Sequence, residues 1–332
     1  MGCGMRSILR LGAFVGVYLS IAQLAPAQIL NLQDLNVEQI QKLDRARTVV
    51  VIPAGILEEH GPYLPAFTDG YVNEYLARRV AESILAKPGW TALMFPAIPL
   101  GEGGANQIGK RQVFPPTFHV HFSTLRAVYM DIAAELGEAG FQWVFIISRH
   151  GAARHQQALD QASDFFTESY NGKMVHVTGL VPSSQTLQNV GLTNAEREQN
   201  GLDVHAGMSE TSEILFLHPE LAASGYRDAQ PLSGSNWRQL VDRGASAGWP
   251  GYFGAPALAE AWRGAVLLDA QARDLSDLVN QILNGFDYRS LQRKADGQFQ
   301  DAAIREYSDA ADAHARAIQD RQSSWLRRKG LQ

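Results

Sequence analysis

Six consecutive residues, Thr48-Val49-Val50-Val51-Ile52-Pro53, constrain this chain most strongly. The run is largely β-branched and has no polar alternation. A helix would restrict χ1 at each branched residue, and a half-exposed strand would alternate polar with apolar. What remains is a strand buried on both faces, as in a parallel sheet covered by helices. Comparable runs occur at Thr91-Ala92-Leu93-Met94-Phe95, Trp143-Val144-Phe145-Ile146-Ile147 and Met174-Val175-His176-Val177-Thr178. Helical patterns lie between them. One is predicted from Gly70 to Ala86, with Tyr71, Tyr75, Leu76, Val80 and Ile84 on one face. Another is capped by Ser123, runs to Leu136 and is broken by Gly137 and Gly140. Others are predicted over Ala153 to Phe166, Ser209 to Leu217 and Leu268 to Leu283. The alternation predicts an α/β layered domain with a mainly parallel sheet, whose ligand sits outside the carboxyl ends of the strands.

The first 27 residues read as a secretory signal peptide. Arg6 and Arg10 precede an apolar stretch from Leu11 to Leu24, too short to span a bilayer comfortably, and Ala25-Pro26-Ala27 offers a cleavage site before Gln28. An exported protein, periplasmic or extracellular, is expected, with no stable membrane span after cleavage. Cleavage would remove two arginines and no acid, taking the formal charge from −5 to −7. Nothing in that balance invites nucleic acid. It would also remove Cys3, the only cysteine, so any metal must be held by His, Asp and Glu. Residues 28–286 read as one α/β domain. Residues 287–332 are alanine-rich and charged, and form an expected helical C-terminal extension, helical from about Phe299 to Trp325. No chemistry is assigned to it.

Three segments carry candidate chemistry. Glu58 and His60 are two apart on a segment leaving a strand, so they project to one side. Asp69 follows at the start of a helix. His150 stands at the carboxyl end of the third strand and precedes Gly151. His205 lies in a loop, and Glu210 in the first turn of a helix. Each has a plain structural alternative. Asp69 can be a helix cap, Glu210 a charge on the helix dipole, and the histidines hydrogen-bonded scaffold. His119, His121, His155, His176 and His218 are read as structural.

Taken in order, the segments resemble the creatininase family of metal-dependent amidohydrolases. The resemblance is carried by Pro53-Ala54-Gly55, Glu58-Glu59-His60-Gly61, Leu64-Pro65, Thr68-Asp69, Phe114-Pro115-Pro116-Thr117, Ser148-Arg149-His150-Gly151-Ala152-Ala153 and His205-Ala206-Gly207-Met208-Ser209-Glu210-Thr211-Ser212. It implies a three-layer α/β sandwich, a homo-oligomer and two divalent metal ions per subunit, zinc or manganese, with iron an alternative. By motif position, Glu58 and His150 would hold one ion, His60 and Glu210 the other, and Asp69 would bridge them. A hydroxide bridging the ions would attack the amide, and His205 would protonate the leaving nitrogen.

The departures from the family pattern spare these ligands and alter their surroundings. Ser148-Arg149 replaces Asn-Gly, and Ala152-Ala153 replaces Gly-Asn. Ala152 stands where creatininase proper has a glutamate, and Tyr63 where the family has a second histidine. The expected substrate is therefore a small linear or cyclic amide other than creatinine. Arg149 and Tyr63 are candidate substrate contacts, with an ion pair to a neighbouring acid as the alternative role for Arg149. Competing readings are a metallopeptidase acting on short peptides and a non-catalytic metal-binding family member.

Overall fold

Each strand of the sheet is a short apolar run, and each is buried because helices cover both faces. The computed structural model describes Met1, residues 28–181 and residues 189–331, so the signal segment expected over residues 1–27 lies, but for Met1, outside the described residues. The strands are β1 (Leu30–Asn31), β2 (Thr48–Pro53), β3 (Thr91–Met94), β4 (Trp143–Ile147) and β5 (Lys173–His176). They form one sheet in the order β1-β3-β2-β4-β5, with every neighbouring pair parallel. The helices are α1 (Val37–Gln41), α2 (Thr68–Leu85), α3 (Phe122–Glu138), α4 (Ala153–Ser169), α5 (Asn194–Asn200), α6 (Met208–Leu217), α7 (Trp237–Ala245), α8 (Ala261–Leu283), α9 (Lys294–Gln298) and α10 (Ala302–Lys329).

The period of two along β2 builds both layers. Val49 and Val51 pack with Leu76 and Val80 of α2 and Leu275 and Val279 of α8. Val50 and Ile52 point the other way, to Leu125 and Tyr129 of α3 and Leu159 and Phe166 of α4. The result is the three-layer α/β sandwich expected from the sequence. No helix among the described residues is long and apolar enough to cross a membrane.

Chain order decides where a site can form. From β2 the chain moves to β3 on one side, then crosses to β4 on the other. The loops leaving β2 and β4 thus diverge and open a crevice at the carboxyl ends of two adjacent strands. Register keeps those ends level, since Pro53 pairs with Ile147.

Several boundaries differ from the sequence reading. β1 spans two residues, too few to show a period. β5 ends at His176, and the expected Val177 and Thr178 form a 3-10 turn. α8 begins at Ala261, seven residues before the expected Leu268. Gly264 interrupts the apolar pattern there because a Cβ would meet the Ser212 carbonyl oxygen at 2.0 Å. Close passage of α8 over α6 demands glycine at that point. The C-terminal extension is fastened down at several places. Ala303, Ile304 and Tyr307 of α10 pack with Leu240, Val241, Trp249 and Phe253. Arg154 pairs with Asp312 at 2.6 Å, and Arg293 forks onto Asp164 at 2.6 and 2.8 Å.

Candidate metal centre

The loop after β2 returns on itself because the Glu58 amide donates to the Ala66 carbonyl at 2.9 Å. This brings Glu58, His60 and the first turn of α2, with Asp69, into one corner of the crevice. The loop after β4 delivers His150, and the start of α6 delivers Glu210. Glu58, His60, Asp69, His150 and His205 are all at most 5% exposed. Glu58, Asp69 and His150 offer ligand atoms within 4.8 Å of one another, as do His60, Asp69 and Glu210. Asp69 belongs to both triads. A third group joins Glu58, His60 and His205. All six side chains suggested by the sequence therefore converge.

Each of the three imidazoles ties one ring nitrogen to a backbone carbonyl, Nε2 in His150 and His205 and Nδ1 in His60. His150 Nε2 faces the carbonyls of Glu102 and Gly103 at 2.9 and 2.6 Å. A carbonyl only accepts, so Nε2 carries the proton, and Nδ1 turns toward Glu58 at 3.0 Å and Asp69 at 3.2 Å. His60 Nδ1 donates to the Glu58 carbonyl at 3.1 Å, leaving Nε2 3.6 Å from the Glu210 carboxylate. His205 Nε2 donates to the Glu59 carbonyl at 2.7 Å, leaving Nδ1 3.7 Å from Glu58. For His150 and His60, an N–H tied to a backbone carbonyl behind leaves a lone pair in front, which is how proteins present histidine to metal ions.

Charge makes the same demand. Burial alone would raise the Glu58 pKa, yet the imidazoles of His205, His150 and His60 hold it below the usual range. Burial also opposes ionisation of Asp69, and His150 and His60 overcome it. Burial would lower His205, but Glu58, Glu59 and Glu210 push it up to about 10. Buried carboxylates this close require positive charge among them. Glu58 Oε2 and His60 Nε2 are buried and make no hydrogen bond among the described residues. A nitrogen and oxygen donor set with unpartnered atoms facing inward fits divalent zinc or manganese.

A family model for creatininase, described as creatinine amidohydrolase, matches residues 33–279. The chain belongs to the creatininase family. It is 22% identical over 256 residues to a creatinine amidohydrolase from Pseudomonas putida, covering 70% of this chain and 89% of that protein. It is 26% identical over 175 residues to a mycofactocin precursor peptide peptidase from Mycolicibacterium smegmatis, covering 52% of this chain. The chain spans only 59% of that peptidase's length. A solved structure described as "Creatininase Mn" superposes with a TM-score of 0.57 at 19% identity, covering 77% of this chain and 99% of that one. At such identity the likeness speaks for the fold.

Beside these converging side chains lies a cavity. It measures about 210 Å³, and its wall includes Arg149, Ala152, Asp203, Trp237, Gln298 and Tyr307. Arg149 reaches it as expected, while its guanidinium is also ion-paired with the buried Glu213. The ion pair expected as its alternative role is therefore present. Tyr63 stands outside the wall. Its ring faces Tyr252 at 6.1 Å, because the loop after His60 turns away from the crevice. Two of the other histidines are hydrogen-bonded within the scaffold: His155 bonds Ser148 Oγ at 2.9 Å, and His176 bonds Asp160 at 2.9 Å.

Supporting residues were missed in the sequence. Glu59 is buried; its amide donates to Thr117 Oγ1 at 3.1 Å, which explains the threonine of the Phe-Pro-x-Thr segment. Asp203 accepts from the Ser209 amide and hydroxyl at 2.8 and 2.6 Å, anchoring the start of α6. Asn73 lies one helical turn after Asp69, a spacing that could have identified it. Its amide donates to the Ala54 carbonyl, and its oxygen accepts the Arg149 N–H at 2.9 Å, tying the ends of β2 and β4 together. Replacing Asn73 by Ala strands both backbone groups. Urea unfolding should show a loss of about 2–4 kcal/mol; a change below about 0.5 kcal/mol would contradict this bracing role.

Proposed function

We propose that the protein is an exported metal-dependent hydrolase that cleaves the C–N bond of a small amide, linear or cyclic. The observation that carries the proposal is the pair of ligand triads sharing Asp69. Glu58, Asp69 and His150 would hold one divalent ion, and His60, Asp69 and Glu210 a second. Bound ions would act as Lewis acids, polarising the amide carbonyl and acidifying a water molecule. The chain supplies the rest. Backbone carbonyls of Glu58, Glu102 and Gly103 lock the ligand rings, so little reorganisation accompanies reaction. His205, which lines the cavity with its Nδ1 inward, would pass a proton to the departing nitrogen. Burial of the cluster excludes competing water. A cavity of about 210 Å³ suits a compact amide.

A second reading, a metallopeptidase for short peptides, is favoured by the similarity to a mycofactocin precursor peptide peptidase. Both readings need the same metal site. Initial rates on lactams, small linear amides and short peptides separate them: faster turnover of peptides than of every small amide would overturn the first.

Glu58→Gln and His60→Ala should each lower bound metal, measured by elemental analysis, and abolish hydrolysis. Unchanged metal content in both variants would sink the assignment. His205→Ala should keep its metal and lose about 10²–10⁴-fold in kcat; parental rates would remove it from proton transfer. The export reading predicts that protein recovered outside the cytoplasm begins at Gln28 by intact-mass analysis. Recovery with residues 1–27 still attached would contradict it.

A further inference from the structure

The family match ends at residue 279, yet two residues beyond it, Gln298 and Tyr307, stand in the wall of the cavity. Gln298 closes α9, and its Nε2 donates to the Gly151 carbonyl at 2.7 Å, directly beside His150. Because that carbonyl can only accept, the amide nitrogen must face it. The Gln298 Oε1 is thereby committed elsewhere, and it is buried with no hydrogen-bond partner among the described residues. An unpaired buried acceptor is costly, and an N–H from a ligand would satisfy it.

Tyr307 is 8% exposed on the first half of α10. Its ring lies 6.5 Å from that of Trp237, also in the cavity wall. Burial pushes the Tyr307 pKa up, so its hydroxyl stays neutral. Neither residue sits on a loose segment. Glu306 is ion-paired with both Lys110 and Arg238, and Asp312 with Arg154. Ile304 is 1% exposed in the cluster that holds α7. Ala152, next to Gly151 in the same wall, lies so close to Gly103 that a Cβ there would meet its own Cβ at 2.8 Å. The wall is therefore closely packed and fixed.

We propose that the C-terminal segment is the specificity wall of the amide site: Gln298 accepts an N–H of the substrate, and Tyr307 with Trp237 limits the substrate's length. The substrate class that fits is a compact amide carrying further N–H donors. The inference rests on the metal-site reading above, and the test keeps the two apart.

Zinc-loaded full-length protein is titrated calorimetrically with acetohydroxamate, glycine hydroxamate and 2-naphthohydroxamate, which differ in N–H donors and length. The parent should bind the two small hydroxamates and discriminate against the naphthyl compound. Gln298→Leu should weaken glycine hydroxamate about fivefold to tenfold relative to acetohydroxamate. Tyr307→Ala should relax the discrimination against 2-naphthohydroxamate by about tenfold or more. Tyr307→Leu keeps apolar volume and serves if the alanine variant fails to fold. Binding of all three probes with parental ratios in the Gln298 and Tyr307 variants would overturn the specificity wall alone. Failure of every hydroxamate to bind any zinc-loaded form would overturn the metal centre and this inference with it.

Discussion

Three acidic side chains, Glu58, Asp69 and Glu210, share one mostly buried corner with three imidazoles, and this arrangement needs positive charge to persist. Carboxylates removed from water cost several kcal/mol each unless paired, so the corner holds together only when cations or protons stand among them. The directions of the pKa shifts follow from that balance. Glu58 and Asp69 are held down while His150 and His205 are held up. Protons on the rings and divalent ions between the ligands are alternative ways to supply the same charge. The backbone favours the second, because each ring already spends one N–H on a carbonyl behind it.

The fold serves this corner through a few specific devices. Parallel strands in the order β1-β3-β2-β4-β5 part their loops between β2 and β4. Asn73 then ties those strand ends together. Asp203 fixes the start of α6 and hence Glu210. Gly264 lets α8 run against α6 from behind. Candidate ligands from four separated segments are thus placed by local hydrogen bonds and by close helix packing.

Much of the fold was legible because its signals are local. β2 and β4 announce themselves as continuous apolar runs, and the three-layer arrangement follows from helices between such runs. β1 escaped because two residues show no period, and the true start of α8 escaped because Gly264 breaks the pattern for a tertiary reason. At the site, Glu58 and His60 were legible from their spacing. Asp69 and Glu210 were not separable, taken singly, from ordinary helix N-terminal acids; resemblance to the family supplied the difference. Ring orientation was invisible, since the acceptors for His150 are carbonyls of Glu102 and Gly103, 48 and 47 residues away. Tyr63 was misplaced because a loop's turn away from the crevice leaves no mark on its residue types. Gln298 and Tyr307 were invisible for the same reason: their segment has helical composition, and only its docking onto α7 brings them to the cavity.

The central claim is that two divalent ions flank Asp69. Diffraction from metal-loaded crystals on both sides of the zinc or manganese absorption edge measures this directly. The account predicts two anomalous peaks per chain, one bounded by Glu58, Asp69 and His150 and the other by His60, Asp69 and Glu210. A single peak that leaves Asp69 without a metal contact, or no peak in this cavity at all, would contradict it.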